Sequence, residues 1–413
     1  MNPFGILAFC GVLFCTTTSL FAQSSPLIMR HADSLAVSQK AGHLVLNGRV
    51  HFIHDSIQFR TQRAVWNKDV DLVQCDGGFL FTHPDGFIQA RSGNYRKKTE
   101  TATATGDVTA KDSAGTYAFF GQYLIYDKQK EFLILPEKPL LHQYEKRKDK
   151  TIDTVAVKAK YITYDKKNEF AQAFREVVVT EKDYVITCDT AFLDKKNNWL
   201  ALKGHPKCVM KNYELTGDSI YLVIDSESRM LRSALVIRNA HGKQHEPGKK
   251  GKPDQFTEAT GDTLFAEFKN NKMLRLYVNI NAHGLFYESD LAKYQNLMDG
   301  SRLDLSFEEG KLQKAVIAGE AKSTYFHVKN DRSISGRNES AGDTIYISFE
   351  DSKVKHLKMV GDKTLASGRY FDLEKEKIKG SMNPSQTKKD STRSPLKHLI
   401  ATKKKKAQGE TQK

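Results

Sequence analysis

The chain has 413 residues, of which 39% are hydrophobic, and it carries a formal net charge of +15 at pH 7. This length allows a sizeable core, in about two to three ordinary domains or in one long repetitive domain. The mean hydropathy of -0.53, and the lack of a long apolar stretch after residue 23, exclude a protein that crosses a membrane with several helices.

The chain begins with an apolar segment at residues 4–15, followed by Thr and Ser residues and then by Ala22. A short apolar run before a small residue is typical of a secretory signal peptide. We therefore expect residues 1–22 to be removed and the mature chain to be exported to the periplasm, where it could associate with the outer membrane. No Lys or Arg precedes the run, and Leu20 stands where a small residue is usual, so an uncleaved anchor is the alternative.

A short phrase around a central glycine is repeated in the first part of the chain. It reads Leu-Asn-Gly-Arg-Val at residues 46–50, Cys-Asp-Gly-Gly-Phe at 75–79 and Ala-Thr-Gly-Asp-Val at 104–108. Exactly the same spacing, 29 residues, separates Gly48 from Gly77 and Gly77 from Gly106. Internal repetition of this kind indicates an architecture built from stacked supersecondary units.

A second phrase consists of a small residue, a polar residue and then alternating apolar residues. One copy is Gly-Asp-Ser-Ile at 217–220, followed by Leu222 and Ile224. Similar copies begin at Gly261, Gly300 and Gly342, and looser copies begin at Gly93, Gly121, Ala159 and Cys188. We expect each Gly-Asp pair to form a turn that leads into a strand.

Apolar residues at every second position line one face of a strand while polar residues face water. The two phrases together therefore predict a mainly β fold, an antiparallel β-jellyroll of repeated strand pairs, arranged as one jellyroll or two in tandem. Any antiparallel β protein with tight turns is the alternative.

Two segments interrupt the repeat. Residues 242–253 are rich in Gly, Pro and Lys, which predicts a basic loop at 241–254 between a first jellyroll at 23–240 and a second one, or a continuation, at 255–380. Residues 381–413 contain four consecutive lysines and few apolar residues, which predicts a disordered basic tail. Export argues against nucleic acid as the partner of this charge, and phosphorylated lipids offer the same electrostatics. A solvated tail without a partner is the alternative.

The sequence contains no catalytic motif, so we expect no enzyme, no cofactor and no metal. Cys75, Cys188 and Cys208 have no metal-ligand spacing; Cys188 and Cys208 either pair or serve as two small half-buried hydrophobic residues. His51 and His54, three apart on a strand, point to opposite faces and cannot chelate one ion. Asp residues of the second phrase could stack and bind calcium, but turn formation explains them better.

The apolar strand face is the remaining functional element, and it either fills a core or lines a groove that shelters acyl chains. Its candidate residues are Val50, Phe52, Ile57, Phe59, Phe79, Phe81, Val108, Tyr117, Phe119, Val177, Val179, Tyr184, Ile186, Ile220 and Leu222.

The combination of these phrases over residues 41–370 resembles the OstA-like, or LptA-like, family of lipopolysaccharide-transport proteins. The residues that carry the resemblance are 46–50 with 64–66, 77–79 with Ala90 and Tyr95, and 106–108 with 121–123. The resemblance implies a V-shaped stack of antiparallel strands that shields the acyl chains of lipopolysaccharide, without any bond being made or broken. It also implies open edge strands that join partner jellyrolls at the inner and outer membranes, or further copies head to tail.

This chain is much longer than small members of that family, and its repeat lengthens after Gly217, so one chain could replace several copies of a shorter bridge protein. Two other interpretations stay open. One is an exported scaffold or adhesion protein with a solid core. The other is a glycan-binding or glycan-processing β-solenoid, which would need a carboxylate pair or an aromatic platform on one exposed face, and we identify neither at the repeat spacing.

Overall fold

The computed structural model describes residues 25–38, 43–146, 151–225, 230–248, 251–270, 272–350, 353–362 and 366–373. The predicted signal peptide and basic tail lie outside these residues. The described chain is almost entirely antiparallel β structure of the jellyroll type, as predicted, with single 3₁₀ turns at Lys97–Thr99 and Ser289–Leu291. Among the described residues, no helix is long and apolar enough to span a membrane.

The first twenty strands are β1 (Ile28–His31), β2 (Ser34–Ser38), β3 (His43–His54), β4 (Ile57–Asn67), β5 (Leu72–His83), β6 (Gly86–Ala90), β7 (Ser92–Arg96), β8 (Thr101–Asp112), β9 (Tyr117–Asp127), β10 (Phe132–Pro136), β11 (Leu140–Lys146), β12 (Ile152–Lys158), β13 (Tyr161–Asp165), β14 (Phe170–Glu181), β15 (Tyr184–Asp194), β16 (Trp199–Lys203), β17 (Lys207–Met210), β18 (Tyr213–Thr216), β19 (Ser219–Ile224) and β20 (Leu231–Glu246). The remaining strands are β21 (Gln255–Lys269), β22 (Lys272–Glu288), β23 (Asn296–Glu308), β24 (Lys311–Val328), β25 (Ile334–Glu350), β26 (Lys353–Val360) and β27 (Ser367–Asp372).

The chain forms two compact units. Of the described residues, the first unit contains those up to Gln244 together with those of Thr263–Lys272, and the second contains those of His245–Asp262 and those from Met273 to residue 373. The predicted basic loop is partly wrong, because β20 continues as strand to Glu246. The reason is that residues 241–244 pair with β18, which supplies backbone partners that outweigh the local Gly and Lys content.

The strands of the first unit bend at corners where two consecutive residues have positive φ. In β3 these are Gly48 (φ +73°) and Arg49 (φ +46°), and the N–H of Asp33 donates to the carbonyl oxygen of Gly48 at 3.0 Å. The register between β3 and β4 shifts at the same point, which makes this a β-bulge, and bulges bend strands. Corresponding pairs occur at Gly77-Gly78, Gly106-Asp107, Glu137-Lys138, Arg175-Glu176, Gly204-His205 and Arg238-Asn239.

The corners together divide the strands of the first unit into two sets of segments, which we call the two arms. The first arm contains residues 50–61, 79–90, 108–121, 140–146, 152–158, 177–188 and 207–216. The second arm contains residues 43–47, 64–75, 93–104, 124–135, 161–174, 190–203 and 219–237. Apolar side chains from both arms face a shared interior.

The prediction that the second phrase forms turns is wrong at Gly261, Gly300 and Gly342, which lie inside the continuous strands β21, β23 and β25. A Cβ at Gly300 would lie 2.9 Å from Ile317 Cγ2 and 3.1 Å from the carbonyl oxygen of Ala318. Glycine is therefore needed because the neighbouring strand approaches closely at the corner. The second unit has the same bends, at Ile280-Asn281 and Gly319-Glu320.

Candidate functional site

All fifteen candidate residues of the apolar face lie on the interior side of the first unit, thirteen in the first arm and two in the second. Most are buried, and only Tyr117 and Tyr184 are half-buried. The arrangement follows from the period-two pattern, because alternate side chains of a strand share one face. The packing between the two arms determines how much room this face has for a ligand.

One interior row crosses the first arm in continuous register. Phe52 pairs with Phe59, Phe59 with Phe81, and further on Phe119 pairs with Leu141. The full row is Phe52, Phe59, Phe81, Ile88, Ala110, Phe119, Leu141, Val157, Val179, Ile186, Cys208 and Leu215. Every member is apolar, so the interior is a continuous apolar surface across these strands.

Aromatic side chains join the two arms across the interior from β3 to β13. The Phe52 and Trp66 rings lie 5.4 Å apart edge to face, and the Phe59 and Tyr95 rings lie 5.1 Å apart. At the other end, the rings of Phe119 and Tyr164 lie 6.0 Å apart. Such pairs stabilise packing beyond the effect of their buried area. We call these contacts the aromatic seam.

Beyond the aromatic seam the interior contains both half-buried and buried side chains. In β15 and β16, Tyr184, Leu193 and Leu200 are half-buried, whereas Phe52 and Phe59 at the other end have no exposed surface. The second arm there contributes small residues such as Ala171 and Ala173. In the same part of the first unit, Leu202, Cys208 and Ile220 are buried.

One buried polar contact also spans the interior. His54, at the end of the first arm, is 1% exposed, and its Nδ1 lies 2.5 Å from the hydroxyl of Tyr95 in the second arm. Burial lowers the pKa of His54 and raises that of Tyr95. Both side chains therefore stay neutral at pH 7.

Lysines from the hairpins of the second arm lie at the opening between the arms, which we call the mouth. Lys128 Nζ is 3.2 Å from both Asp55 and Glu100, and Lys166 Nζ is 2.6 Å from Asp85. Asp55 and Asp85 belong to hairpins of the first arm, so these ion pairs connect the arms. The hydrogen bond from Lys128 lowers the pKa of Asp55, and that from Lys166 lowers the pKa of Asp85.

The mouth lysines are functional candidates that the sequence reasoning missed. The signal was present as a repeated hairpin, which reads Asp-Lys-Gln-Lys-Glu-Phe at 127–132, Asp-Lys-Lys-Asn-Glu-Phe at 165–170 and Asp-Lys-Lys-Asn-Asn-Trp at 194–199. Its period is that of the apolar phrases, so it marks one end of each repeat.

The outward face of the second arm carries an aromatic cluster that sequence reasoning also missed. The rings of Phe170 and Phe192 are stacked at 6.4 Å, and those of Phe174 and Phe192 meet edge to face at 6.1 Å. Nearby, a surface cleft of about 600 Å³ is lined by Phe132, Asp165 and other residues of the same hairpins. Another cleft of about 600 Å³ is lined mainly by outward-facing side chains, including His51, Arg60, Leu80 and Gln89.

Cys75, Cys188 and Cys208 are buried free thiols. Burial raises the pKa of Cys188 to about 11 and that of Cys208 to about 12. Within the described part of the chain, no group of three or more His, Cys, Asp or Glu side chains is placed to hold a metal ion.

No protein-family model matches the chain, and no curated protein matches it. A solved structure to which it is similar is that of LptH, the LptA homologous periplasmic component of the conserved lipopolysaccharide transport device from Pseudomonas aeruginosa. The two chains are 17% identical and superpose with a TM-score of 0.26. The match covers 33% of this chain and 82% of LptH.

Proposed function

We propose that this chain is a non-enzymatic periplasmic protein that carries lipopolysaccharide with the acyl chains held in the interior of its first unit, as part of the bridge to the outer membrane. The observation that supports this most is the unbroken apolar row from Phe52 to Leu215. A row of this length gives an acyl chain continuous apolar surface, and each buried CH₂ contributes about 0.8 kcal/mol.

The half-buried residues beyond the aromatic seam support an entry point near Tyr184. Among the described residues, this end of the interior has fewer aromatic contacts than the aromatic seam, so its opening would break fewer of them. Acyl chains that enter here would replace water at Tyr184, Leu193 and Leu200. The aromatic seam would keep the remaining strands together while this happens.

Open edge strands are the proposed docking sites for partner jellyrolls or for further copies of the chain. Among the described residues, β1 and β2 pair only with β3, and their exposed side chains include Leu35 and Val37. Within the part of the chain that the structure describes, β27 pairs only with β25, and its Tyr370 is exposed. An unpaired strand edge with apolar side chains can add a strand from another chain.

An exported scaffold with a solid core is the second candidate. The observation that favours it is the close packing of Phe52, Phe59, Phe79 and Phe81, each with at most 1% of its surface exposed. A core of this density supports a rigid structural role without a ligand.

The two candidates differ in what is bound to the purified protein. We would express the chain in a Gram-negative periplasm, extract it gently and identify copurifying lipids by mass spectrometry. The variant Tyr184→Glu places a charge on the half-buried interior face, and Val185→Glu places the same charge on the exposed outward face of the same strand. Circular dichroism would confirm that both variants fold.

Carriage predicts lipopolysaccharide on the wild type and on Val185→Glu, and its loss from folded Tyr184→Glu. Wild-type protein without lipid would favour the scaffold.

A further inference from the structure

The three repeated hairpins hold their first lysine in a fixed place. The N–H of Lys128 donates to the carbonyl oxygen of Glu100 in the preceding hairpin at 3.2 Å, and that of Lys166 donates to Glu131 at 3.0 Å. Lys195 continues the series by donating to Glu169 at 3.1 Å. This backbone ladder sets the lysines one hairpin apart along the mouth.

The Asp that begins each hairpin stabilises the turn from within. Asp165 Oδ1 accepts from the N–H of Asn168 at 2.9 Å, and Asp194 Oδ1 accepts from the N–H of Asn197 at 2.9 Å. An Asp in this role is occupied by its own turn. The carboxylates that face the mouth lysines come instead from Asp55, Asp85 and Glu100.

Lys195 differs from the other two mouth lysines in having no carboxylate partner among the described residues. Its ammonium group lies over the ring of Tyr117, 5.2 Å from the centroid. Tyr117 is itself 5.8 Å from the ring of Tyr164, so two tyrosines and one cation meet at this point of the mouth. Both tyrosines are half-buried.

We propose that Lys166 and Lys195 bind the phosphate head group of the amphiphile whose acyl chains enter the interior, and that Asp85 is the carboxylate this phosphate displaces from Lys166. The inference rests on the proposed function and names the head-group chemistry at the same site. An amphiphile bound with its phosphate at the mouth would have its acyl chains directed into the apolar interior. Its phosphate charge would lie between the two ammonium groups.

Electrostatics favour the replacement of Asp85 by a phosphate as the partner of Lys166. A phosphate offers several acceptor oxygens, so it can engage both ammonium groups, whereas the Asp85 carboxylate pairs with Lys166 and not with Lys195. Lys166 and Asp85 are both about half exposed, and an exposed pair of this kind contributes little to stability. After the exchange Asp85 keeps His83, whose Nδ1 is 3.2 Å away, and is solvated by water.

The test compares two amphiphiles that have the same dodecyl group but different head groups. Equilibrium dialysis of the full chain would measure binding of monododecyl phosphate and of dodecyl maltoside, each below its critical micelle concentration. We expect the wild type to bind the phosphate about tenfold more tightly than the neutral amphiphile. The double variant Lys166→Gln/Lys195→Gln should lose this preference and still bind dodecyl maltoside as the wild type does.

The matched control is Lys167→Gln/Lys196→Gln, which removes two exposed lysines from the same two hairpins and causes the same change in net charge. It should keep the tenfold preference. Equal binding of both amphiphiles to the wild type would overturn the head-group site but leave the carrier function standing. If the wild type binds neither amphiphile, both the head-group site and the proposed carrier function are wrong. A control variant that loses the preference as fully as the test variant would show that general charge, and not this site, selects the phosphate.

Discussion

His54 and Tyr95 are hydrogen-bonded to each other across the interior of the first unit, from opposite arms. His54 Nε2 lies 3.0 Å from the carbonyl oxygen of Ser25 and must donate to it, so Nδ1 accepts from the Tyr95 hydroxyl. The neutral imidazole with its proton on Nε2 is therefore the form that this site accommodates. Protonation of Nδ1 would replace an acceptor with a second donor.

Stability should fall as the pH drops below the ordinary range of histidine, because burial lowers the pKa of His54 in the folded state. The sign follows from linkage. The stabilisation is complete above about pH 6.5, the pKa of an unfolded histidine, and is lost as the pH falls from there towards the folded pKa. Urea unfolding at pH 7.5 and 5.5 measures the difference.

His54→Gln removes the titration and should reduce this pH dependence. Part should remain, because burial also lowers the pKa of His83. His51→Gln, on the outward face of the same strand, serves as control and should leave the dependence in place. An unchanged slope in His54→Gln would contradict the assignment.

Tyr95→Phe should destabilise the first unit by about 1–3 kcal/mol, because it leaves Nδ1 of His54 buried without a donor. The ring contacts with Phe59 and Phe81 would remain. Tyr126→Phe is the matched control, since Tyr126 also packs against Phe81 but its hydroxyl makes no hydrogen bond to another described residue. Chemical denaturation should show a cost below about 0.5 kcal/mol for the control. Equal costs would show that the hydroxyl of Tyr95 does not stabilise the fold.

Gly48→Ala should cost about 2–3 kcal/mol of unfolding free energy, and Gly115→Ala about 1 kcal/mol. Both glycines have positive φ, +73° and +68°. A Cβ at Gly48 would overlap the carboxylate of Asp33, which accepts from Arg49, whereas a Cβ at Gly115 would meet nothing within 4 Å. Thermal or urea unfolding of the two variants gives the difference. If Gly48→Ala lowers the unfolding free energy no more than Gly115→Ala does, the corner has room for a Cβ at residue 48.

The three buried thiols should resist alkylation in the native protein at pH 8. Burial raises the pKa of each, to about 12 for Cys208, so almost no thiolate is present, and their side chains are shielded from reagent. Iodoacetamide treatment followed by mass spectrometry should label all three only after unfolding. Rapid labelling of the native protein would mean that the interior opens readily. Two cysteines that stay unlabelled even after unfolding would mean that they form a disulfide.

The interior face could be predicted from the sequence because period two is a property of the strand itself. Phe59 and Phe119 lie far apart in the chain, yet both were identified as members of one face, and the structure places them in one row. The close packing between arms could not be predicted in the same way. It depends on contacts such as Phe119 with Tyr164, which no local pattern contains.

The corners and the mouth show two kinds of ambiguity. A glycine that forms a turn and a glycine that lets a neighbouring strand approach look identical in sequence, which is why Gly300 was misinterpreted. Lys166 and Lys167 are adjacent in one hairpin, and only the fold decides that Lys166 bridges to Asp85. Composition therefore marks the hairpin but not the direction of each side chain.

The number of residues at each corner also decides which side chains of the strand face the interior. Leu46 and Val50 are both interior and are four residues apart in β3, whereas Thr61 and Ala64 are both interior and only three apart in β4. Removing one residue from either corner would turn every later side chain of that strand from the interior to the outside. An insertion at a hairpin would leave this alternation intact, whereas an insertion of one residue at a corner would reverse it.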